Sequence, residues 1–176
     1  MSIPVIPPSF KWDGVGAPVS LHVVLVEPEI PPNTGSIARL CAATGTWLHL
    51  VRPLGFELSD RHLKRAGLDY WPAVRLSVHE SLDAVAQALP WDRTYLFSKK
   101  ADAVYFDVDY PREPVLVFGR ESAGLPEPFV LAHAEHALRI PSTGDVRSLN
   151  LAQAAALGVY EVVRQHGLCR DTRPAP

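Results

Sequence analysis

The chain has 176 residues, of which 47% are hydrophobic, and this length suits one compact domain rather than two. Its formal net charge of -2 excludes binding of nucleic acid through bulk positive charge, so any RNA site must be local. Its 2 cysteines provide neither a disulfide framework nor a zinc ligand set. The sequence contains no basic and apolar leader and no run of about 18 apolar residues. We therefore expect a soluble protein of the reducing cytoplasm.

The two ends of the chain differ in composition from its middle. Prolines and glycines interrupt every short apolar group in residues 1–18, which predicts an extended, weakly ordered N-terminal arm. Residues 169–176 are similarly rich in proline and charge, which predicts a flexible tail. One domain is therefore expected over residues 19–168.

The first strand and helix of this domain have the clearest signals. The branched apolar run at 21–26 predicts a strand that is buried on both faces. Asn33 or Thr34 is expected to cap the helix that follows, because both side chains can accept a hydrogen bond from the first turn. Gly45 is expected to end that helix in the left-handed conformation.

The rest of the domain continues to alternate between strand and helix patterns. Further predicted strands are 47–51, 74–78, 94–97, 115–118 and 137–140. Further predicted helices are 60–66, 80–89, 128–133 and 148–166. This alternation predicts an α/β fold with a mostly parallel sheet, helices on both faces, and functional loops at the carboxyl ends of the strands.

Three predicted loops have the composition of a ligand site. They are residues 97–100, 118–126 and 140–150, and each follows an apolar strand. Glycines in the second and third loops let the backbone approach a ligand and present N–H and C=O groups to a flat adenine edge. The alternative is that all three are ordinary turns between strand and helix.

A fourth segment, residues 27–39, joins the first strand to the first helix. The exposed N–H groups and dipole of a helix start favour an anion such as an RNA phosphate, and Arg39 could add a charged donor. The alternative is that Asn33 only caps the helix and Arg39 lies on its solvated face.

Other chemistry is weakly represented in the sequence. Gly14-Val15-Gly16 follows no strand, so it is not a dinucleotide-binding fingerprint. His133 and His136 lack an obvious third ligand, and we predict no metal site. The small residues of the last helix fit either core packing or a subunit interface.

Basic residues cluster locally despite the acidic average. Arg61, Lys64 and Arg65 fall within one short predicted helix, and Arg147 lies in the third loop. These residues are candidates for RNA contact, and the alternative is a solvated helix face.

Taken together, these segments resemble the SPOUT (SpoU–TrmD) superfamily of RNA methyltransferases. The closest likeness is to its small tRNA (cytidine/uridine) 2′-O-methyltransferases that act at the wobble position, the TrmL type. The resemblance runs from about residue 21 to 167. The motifs that carry it are Glu-Pro-Glu-Ile-Pro-Pro-Asn-Thr-Gly at 27–35, Arg-Leu-Cys at 39–41, Arg-Ala-Gly-Leu-Asp-Tyr at 65–70, and the second and third loops.

The resemblance implies a C-terminal trefoil knot, a homodimer, S-adenosyl-L-methionine as methyl donor and tRNA as substrate. The residues at matching catalytic positions are Arg39, Asn33, Glu121, Ser148 and Asn150. Those at matching cofactor positions are Phe97, Gly119, Ile140 and Ser148. The candidates for substrate RNA are Arg39, Arg61, Lys64, Arg65 and Arg147. Two positions depart from the family pattern: Arg120, where proline is frequent, and Val146, where serine is common.

The implied reaction is an in-line displacement from a sulfonium to a ribose oxygen, which requires alignment of both groups and removal of the hydroxyl proton. Arg39 is an awkward base because guanidinium normally stays charged, so we expect it to hold the acceptor phosphate or polarise the 2′-oxygen. The same chemistry on ribosomal RNA or another tRNA position is an alternative. A noncatalytic RNA-binding or cofactor-sensing module of the same fold is another.

Overall fold

The computed structural model describes residues 20–58, 71–144 and 148–166 of the chain. Within these residues the strands are His22–Val26 (β1), Trp47–Val51 (β2), Arg75–His79 (β3), Thr94–Phe97 (β4), Ala103–Val104 (β5), Val115–Phe118 (β6) and Ala137–Arg139 (β7). The helices are Pro31–Thr44 (α1), Leu82–Ala88 (α2), Glu127–Ala132 (α3) and Leu151–His166 (α4). Each predicted strand matches to within one residue at either end. The predicted helix 60–66, the N-terminal arm and the tail lie outside the described residues.

The described strands form one sheet in the order β3-β2-β1-β6-β4-β7-β5, and every neighbouring pair is parallel. The prediction of a mostly parallel sheet is therefore confirmed. The chain runs outward from β1 to β3 and then crosses to β4, and β6 enters between β1 and β4. This late insertion makes β1 and β6 neighbours at the centre of the sheet.

Alternating side chains of the strands build a separate core on each face of the sheet. Val23 and Leu25 of β1 belong to the cluster that also contains residues of α1 and α4. Val24 and Val26 belong to the cluster that contains residues of α2 and α3. Successive side chains of a strand point to opposite faces, so a continuous apolar run fits a sheet covered on both sides.

Helix α1 begins differently from the prediction. Its N-cap residue is Ile30, which makes no side-chain capping hydrogen bond, and prolines occupy the first two helical positions. Proline fits there because its missing N–H would have no partner within the helix. The prediction that Asn33 or Thr34 caps the helix is therefore wrong. The prediction for Gly45 is confirmed, since its φ of 71° is left-handed.

Helix α4 begins at Leu151, three residues after the predicted start at Ser148. The Asn150 side-chain oxygen accepts hydrogen bonds from the backbone N–H groups of Ala152 and Gln153, at 2.9 and 3.4 Å. Asn150 therefore caps α4 and leaves Ser148 in the preceding loop.

Among the described residues, no helix has the length and apolar content that crossing a membrane requires.

Three histidines form a hydrogen-bonded row across β1, β2 and β3. His22 Nδ1 lies 3.0 Å from His49 Nε2, and His49 Nδ1 lies 3.0 Å from His79 Nε2. A neutral imidazole has one donor and one acceptor nitrogen, so a neutral row can satisfy both contacts of the middle ring. Burial, together with the neighbouring His22 and His79, lowers the pKa of His49 to about 3. Burial also lowers the pKa of His22.

We predict that this row makes the protein sensitive to acid. Folded His49 stays neutral down to a pKa of about 3, whereas the ordinary pKa of a histidine is 6.5. The unfolded chain therefore binds one more proton between these values, and stability decreases as the pH falls through that window. His49→Gln should flatten the decrease in unfolding free energy between about pH 6.5 and 4, measured by urea unfolding. His133→Gln, outside the row, is the control. Equal slopes for wild type and His49→Gln would refute the prediction.

Candidate active site

Four loops meet at the carboxyl edge of the sheet because β1, β6, β4 and β7 are neighbours. The loop after β1 leads to α1 on one face, and the loop after β6 leads to α3 on the other. A parallel sheet has a crevice where adjacent strands send their connections to opposite faces, and ligands bind there. The β1–α1 loop and the β6–α3 loop border such a crevice.

The Glu121 carboxylate joins these two loops. Its Oε2 accepts a hydrogen bond from the backbone N–H of Glu29 at 2.8 Å. Its Oε1 accepts one from the backbone N–H of Ile30 at 3.2 Å and one from Asn33 Nδ2 at 3.0 Å. An ionised carboxylate suits this place because it only accepts hydrogen bonds and all three groups are donors.

Asn33 extends the same network to the third loop. Its side-chain oxygen accepts a hydrogen bond from Asn150 Nδ2 at 2.9 Å, while its own Nδ2 donates to Glu121. Asn33 is only 7% exposed, so this pairing satisfies a side chain that is almost removed from water. The structure therefore brings together three of the predicted catalytic residues, which come from three separate motifs.

Two further pairs in this crevice were missed by sequence reasoning. The Glu29 carboxylate accepts hydrogen bonds from the backbone N–H and the hydroxyl of Ser122, at 2.9 and 2.8 Å. These bonds, the backbone one first, lower the pKa of Glu29. Arg120 forms an ion pair with Glu27. The two glutamates at 27 and 29 were the only hint of these pairs in the sequence. Their partners, Arg120 and Ser122, each lie 93 residues further along the chain, so the sequence did not reveal the pairing.

The β6–α3 loop turns back sharply on itself. The backbone N–H of Gly124 donates to the carbonyl oxygen of Arg120 at 2.8 Å, and Gly124 has a left-handed φ of 71°. A Cβ atom placed on Gly119 would lie 2.1 Å from the backbone carbon of Gly124. Glycine is therefore required at 119 by the closeness of the turn itself.

Three of the predicted cofactor residues lie where these loops begin, and Ser148 lies near the end of the third loop. The Phe97 side chain is 9% exposed and stacks on Phe118 with ring centroids 4.5 Å apart, so its ring belongs to the core. Gly119 follows β6, Ile140 follows β7 and is half-buried, and Ser148 is exposed. No described hydrogen bond joins these four residues to one another.

The predicted RNA-contacting residues are placed only in part. Arg39 lies on α1 with an exposed side chain. Arg61, Lys64, Arg65 and Arg147 lie outside the described residues. In the described part of the chain, no group of three or more His, Cys, Asp or Glu residues could hold a metal ion.

One cavity lies along the outer side of α4. It has a volume of about 610 Å³ and a mostly apolar lining. Its lining residues are Tyr105, Leu149, Gln153, Ala156, Leu157, Tyr160 and Glu161. None of the predicted cofactor residues contributes to this lining.

A parallel sheet with glycine-containing loops meeting at its carboxyl edge defines an α/β protein that binds its ligand in these loops. Residues 20–160 match the SpoU rRNA Methylase family. The chain belongs to that family of methyltransferases, as the motifs at 27–35 and in the second and third loops predict.

Three relatives illustrate this membership. A tRNA (cytidine(34)-2′-O)-methyltransferase of Methylovorus glucosotrophus (strain SIP3-4) is 48% identical over 145 residues, which cover 82% of this chain and 94% of that protein. A structure described as "Structural insights into the 2-OH methylation of C/U34 on tRNA" has 51% identity and a TM-score of 0.78, and covers 85% of this chain and 97% of the other. The SpoU methyltransferase AviRb from Streptomyces viridochromogenes was solved in complex with the cofactor AdoMet (S-adenosylmethionine). It has 26% identity and a TM-score of 0.73, and the match covers 90% of this chain and 62% of the other.

We predict that Glu121 has a structural effect that can be measured in the absence of any ligand. Glu121→Gln replaces one accepting oxygen by an amide that only donates, so at least one of the three facing donors loses its partner. The expected loss of unfolding free energy is about 1–3 kcal/mol by chemical denaturation. Glu80→Gln, which removes an exposed ion pair with Arg52, should cost less than about 1 kcal/mol. Equal losses for the two variants would contradict this role of Glu121.

Proposed function

We propose that this protein transfers the methyl group of S-adenosylmethionine to the ribose 2′-hydroxyl of nucleotide 34, the wobble nucleotide of tRNA. The names of similar proteins support this substrate, since the Methylovorus relative carries it at 48% identity and the structure concerned with C/U34 is 51% identical. Ribosomal RNA and other tRNA positions are the alternatives, and no described feature of the site favours them. We propose the cytoplasm as the compartment of this reaction, which agrees with a tRNA substrate.

The observation that carries the proposal is the contact among Glu121, Asn33 and Asn150. A noncatalytic module would need only the cofactor loops, whereas this contact ties the cofactor loops to the β1–α1 segment that holds Arg39. Fixed geometry of this kind is what transfer between two bound groups requires. We therefore favour an enzyme over a cofactor sensor.

The residues at the carboxyl edge fit S-adenosylmethionine. Gly119 and Ile140 bring main chain to this edge from the loops after β6 and β7, the strands on either side of β4, and Ser148 adds a hydroxyl. Gly144 has a φ of 93°, and an added Cβ would meet no atom within 4 Å, so its backbone faces open space. Main-chain donors and acceptors with apolar neighbours suit an adenine edge. We propose that Gly119, Ile140, Ser148 and the main chain of Phe97 hold the cofactor, which supplies an electrophilic methyl group.

We further propose that the C-terminal segment forms a trefoil knot. Phe97 of β4 and Ala103 of β5 both pair with Leu138, on opposite sides of β7. The short connection 98–102 therefore straddles the end of β7. In the proposed knot, the chain after β7 threads past this connection on its way to α4. Knots are rare in proteins, so the family resemblance is an essential part of this proposal.

In the proposed reaction Arg39 acts on the acceptor nucleotide. Its guanidinium would hold the phosphate or polarise the 2′-oxygen, and the proton would leave to that phosphate or to water, because a guanidinium normally stays charged. Arg61, Lys64, Arg65 and Arg147 are proposed to hold more distant phosphates.

We also propose that two copies of the chain associate through the outer side of α4. Leu157 and Tyr160 of α4 are 39% and 54% exposed and line the apolar cavity together with Leu149. Exposed apolar side chains that form a contiguous patch are typical of protein interfaces. A dimer would also combine local basic surfaces into a larger RNA site, which an acidic chain needs.

The proposed reaction predicts a methyl mark at one ribose. Incubation of the protein with labelled S-adenosylmethionine and total tRNA should place the label on the 2′-oxygen of nucleotide 34, mapped by nuclease digestion and mass spectrometry. A mark on a base, or at another tRNA position, would refute the proposal. Cofactor binding without transfer to any RNA would support the noncatalytic module instead.

Two substitutions, Arg39→Lys and Arg39→Ala, test the proposed role of Arg39 in this reaction. Misplacement of the acceptor should lower the single-turnover rate about a hundredfold in Arg39→Ala. Arg39→Lys keeps the charge but loses the planar donor fork, so its rate should be intermediate. If both variants keep the wild-type rate, neither proposed role of Arg39 is correct.

The proposed dimer predicts a specific response to charge on α4. Tyr160→Glu would introduce a carboxylate into the apolar patch, where burial against a second copy would remove it from water. Sedimentation equilibrium should therefore show a dimer for the wild type and weaker association for the variant. Glu135→Gln, on an exposed turn, is the control. A monomeric wild type at micromolar concentration would contradict this interface.

A further inference from the structure

A second cleft lies within the crevice between the β1–α1 and β6–α3 loops, and none of the individually predicted catalytic, cofactor or RNA-binding residues lines it. Its volume is about 220 Å³. Its lining residues are Glu27, Glu29, Pro53, Leu54, Gly55 and Arg120. The loop after β2 therefore forms the third wall of this cleft, and we call it the β2 wall (residues 53–55).

The cleft presents an acceptor and donors side by side. Arg120 is ion-paired with Glu27, and their side chains are 45% and 24% exposed, so both remain accessible from the cleft. Glu29 differs, because both of its oxygens already accept hydrogen bonds from Ser122. The groups that can contact a ligand are therefore the carboxylate of Glu27 and the remaining N–H groups of the Arg120 fork.

The backbone around Glu27 is held in an unfavourable conformation. Glu27 has a φ of 50°, and it is the only non-glycine residue in the described part of the chain whose φ is positive. Its N–H donates to the carbonyl oxygen of Val51 at 2.9 Å, which ties it to the end of β2. Strained residues of this kind persist where surrounding contacts impose them, and they concentrate at functional sites.

The β2 wall packs tightly against the same loop. The N–H of Gly55 donates to the carbonyl oxygen of Pro28 at 2.9 Å. A Cβ atom on Gly55 would lie 2.7 Å from the carbonyl oxygen of Glu29, so no larger residue fits without a shift of the backbone. The cleft is thus rigid on this side, and Pro53 and Leu54 give it an apolar surface against which a flat ring can pack.

These groups match the pairing edge of cytosine. Its N4 amino group is a donor that a glutamate can accept, and the neighbouring N3 and O2 are acceptors for an arginine fork. Uracil carries the carbonyl oxygen O4 in place of the amino group. This oxygen would face the Glu27 carboxylate, and no hydrogen bond could form because both groups are acceptors. Proteins read unpaired RNA bases through hydrogen bonds to this edge combined with contact on the ring face.

We propose that Glu27 and Arg120 read the base of the acceptor nucleotide and favour cytidine over uridine at the methylated position. This inference rests on the proposed function, because it concerns the same nucleotide. The cleft adjoins the candidate site: Arg120 directly precedes Glu121, and the N–H of Glu29 donates to the Glu121 carboxylate. A base bound in the cleft keeps its ribose beside the contact between Glu121 and Asn33.

The test compares two tRNA transcripts that differ only in C34 or U34. Single-turnover methyl transfer by the full-length wild type should be faster with C34. Glu27→Gln keeps the side-chain shape but presents an amide that can donate to uracil O4, so the C34 to U34 rate ratio should fall about tenfold or more. Arg120→Gln should slow both transcripts and also reduce the ratio. An equal rate for C34 and U34 in the wild type would overturn the proposal.

Controls separate base reading from a purely structural clasp. Arg93→Gln removes an ion pair with Glu113 outside the cleft, and its rate ratio should equal that of the wild type. If Glu27→Gln lowers the melting temperature but leaves the C34 to U34 rate ratio unchanged, the ion pair only holds the two loops together and the proposal fails.

Binding measurements separate this proposal from the reaction itself. Affinities of the same two transcripts, measured without S-adenosylmethionine, should favour C34 in the wild type and lose this preference in Glu27→Gln. If no methyl transfer occurs but this binding preference is found, the proposed reaction fails and the base-reading site stands. If methyl transfer to nucleotide 34 occurs with equal binding and equal rates, the base-reading site fails and the reaction stands.

Discussion

The acceptor-only character of the Glu121 carboxylate is the constraint on which the candidate site depends. Two backbone N–H groups of the β1–α1 loop and one side-chain amide from the first turn of α1 converge on it. Without this carboxylate, the part-buried donors of Glu29 and Asn33 would be left without partners, and such a loss costs more than a single hydrogen bond gains. The side-chain oxygen of Asn33 in turn accepts a hydrogen bond from Asn150, which fixes the start of α4 relative to the same carboxylate. One carboxylate thus sets the relative positions of three loops.

The sheet explains why these loops meet. Insertion of β6 between β1 and β4 brings the β1–α1 and β6–α3 loops together, and their helices leave toward opposite faces. The two apolar cores on either face support this arrangement, so the site is built on rigid elements at its base. Flexible loops alone could not hold donor and acceptor groups in the alignment that methyl transfer requires.

The crevice contains two kinds of polar contact with different consequences. The contacts of Glu121 and Glu29 use both oxygens of each carboxylate, which suits a structural role. The pair formed by Glu27 and Arg120 is more open, and it includes a residue in a strained backbone conformation. The two kinds of contact therefore have different roles. The fully hydrogen-bonded carboxylates of Glu121 and Glu29 hold the loops together, whereas Glu27 and Arg120 are accessible and can exchange their mutual contact for hydrogen bonds to a nucleotide base.

The sequence by itself determined six of the seven described strands, the parallel α/β class and the family, because apolar runs and ordered motifs are local signals. The short strand β5 (Ala103–Val104) was not predicted, since two residues carry no such pattern. It placed Asn33 in the right motif but with the wrong partner, as a helix cap. The actual partners of Asn33 lie 88 and 117 residues away, and no local pattern encodes them. Strand order, the pairing of Glu27 with Arg120 and the cleft beside them were decided only by tertiary structure. Each depends on which distant segments the two cores bring to the same edge.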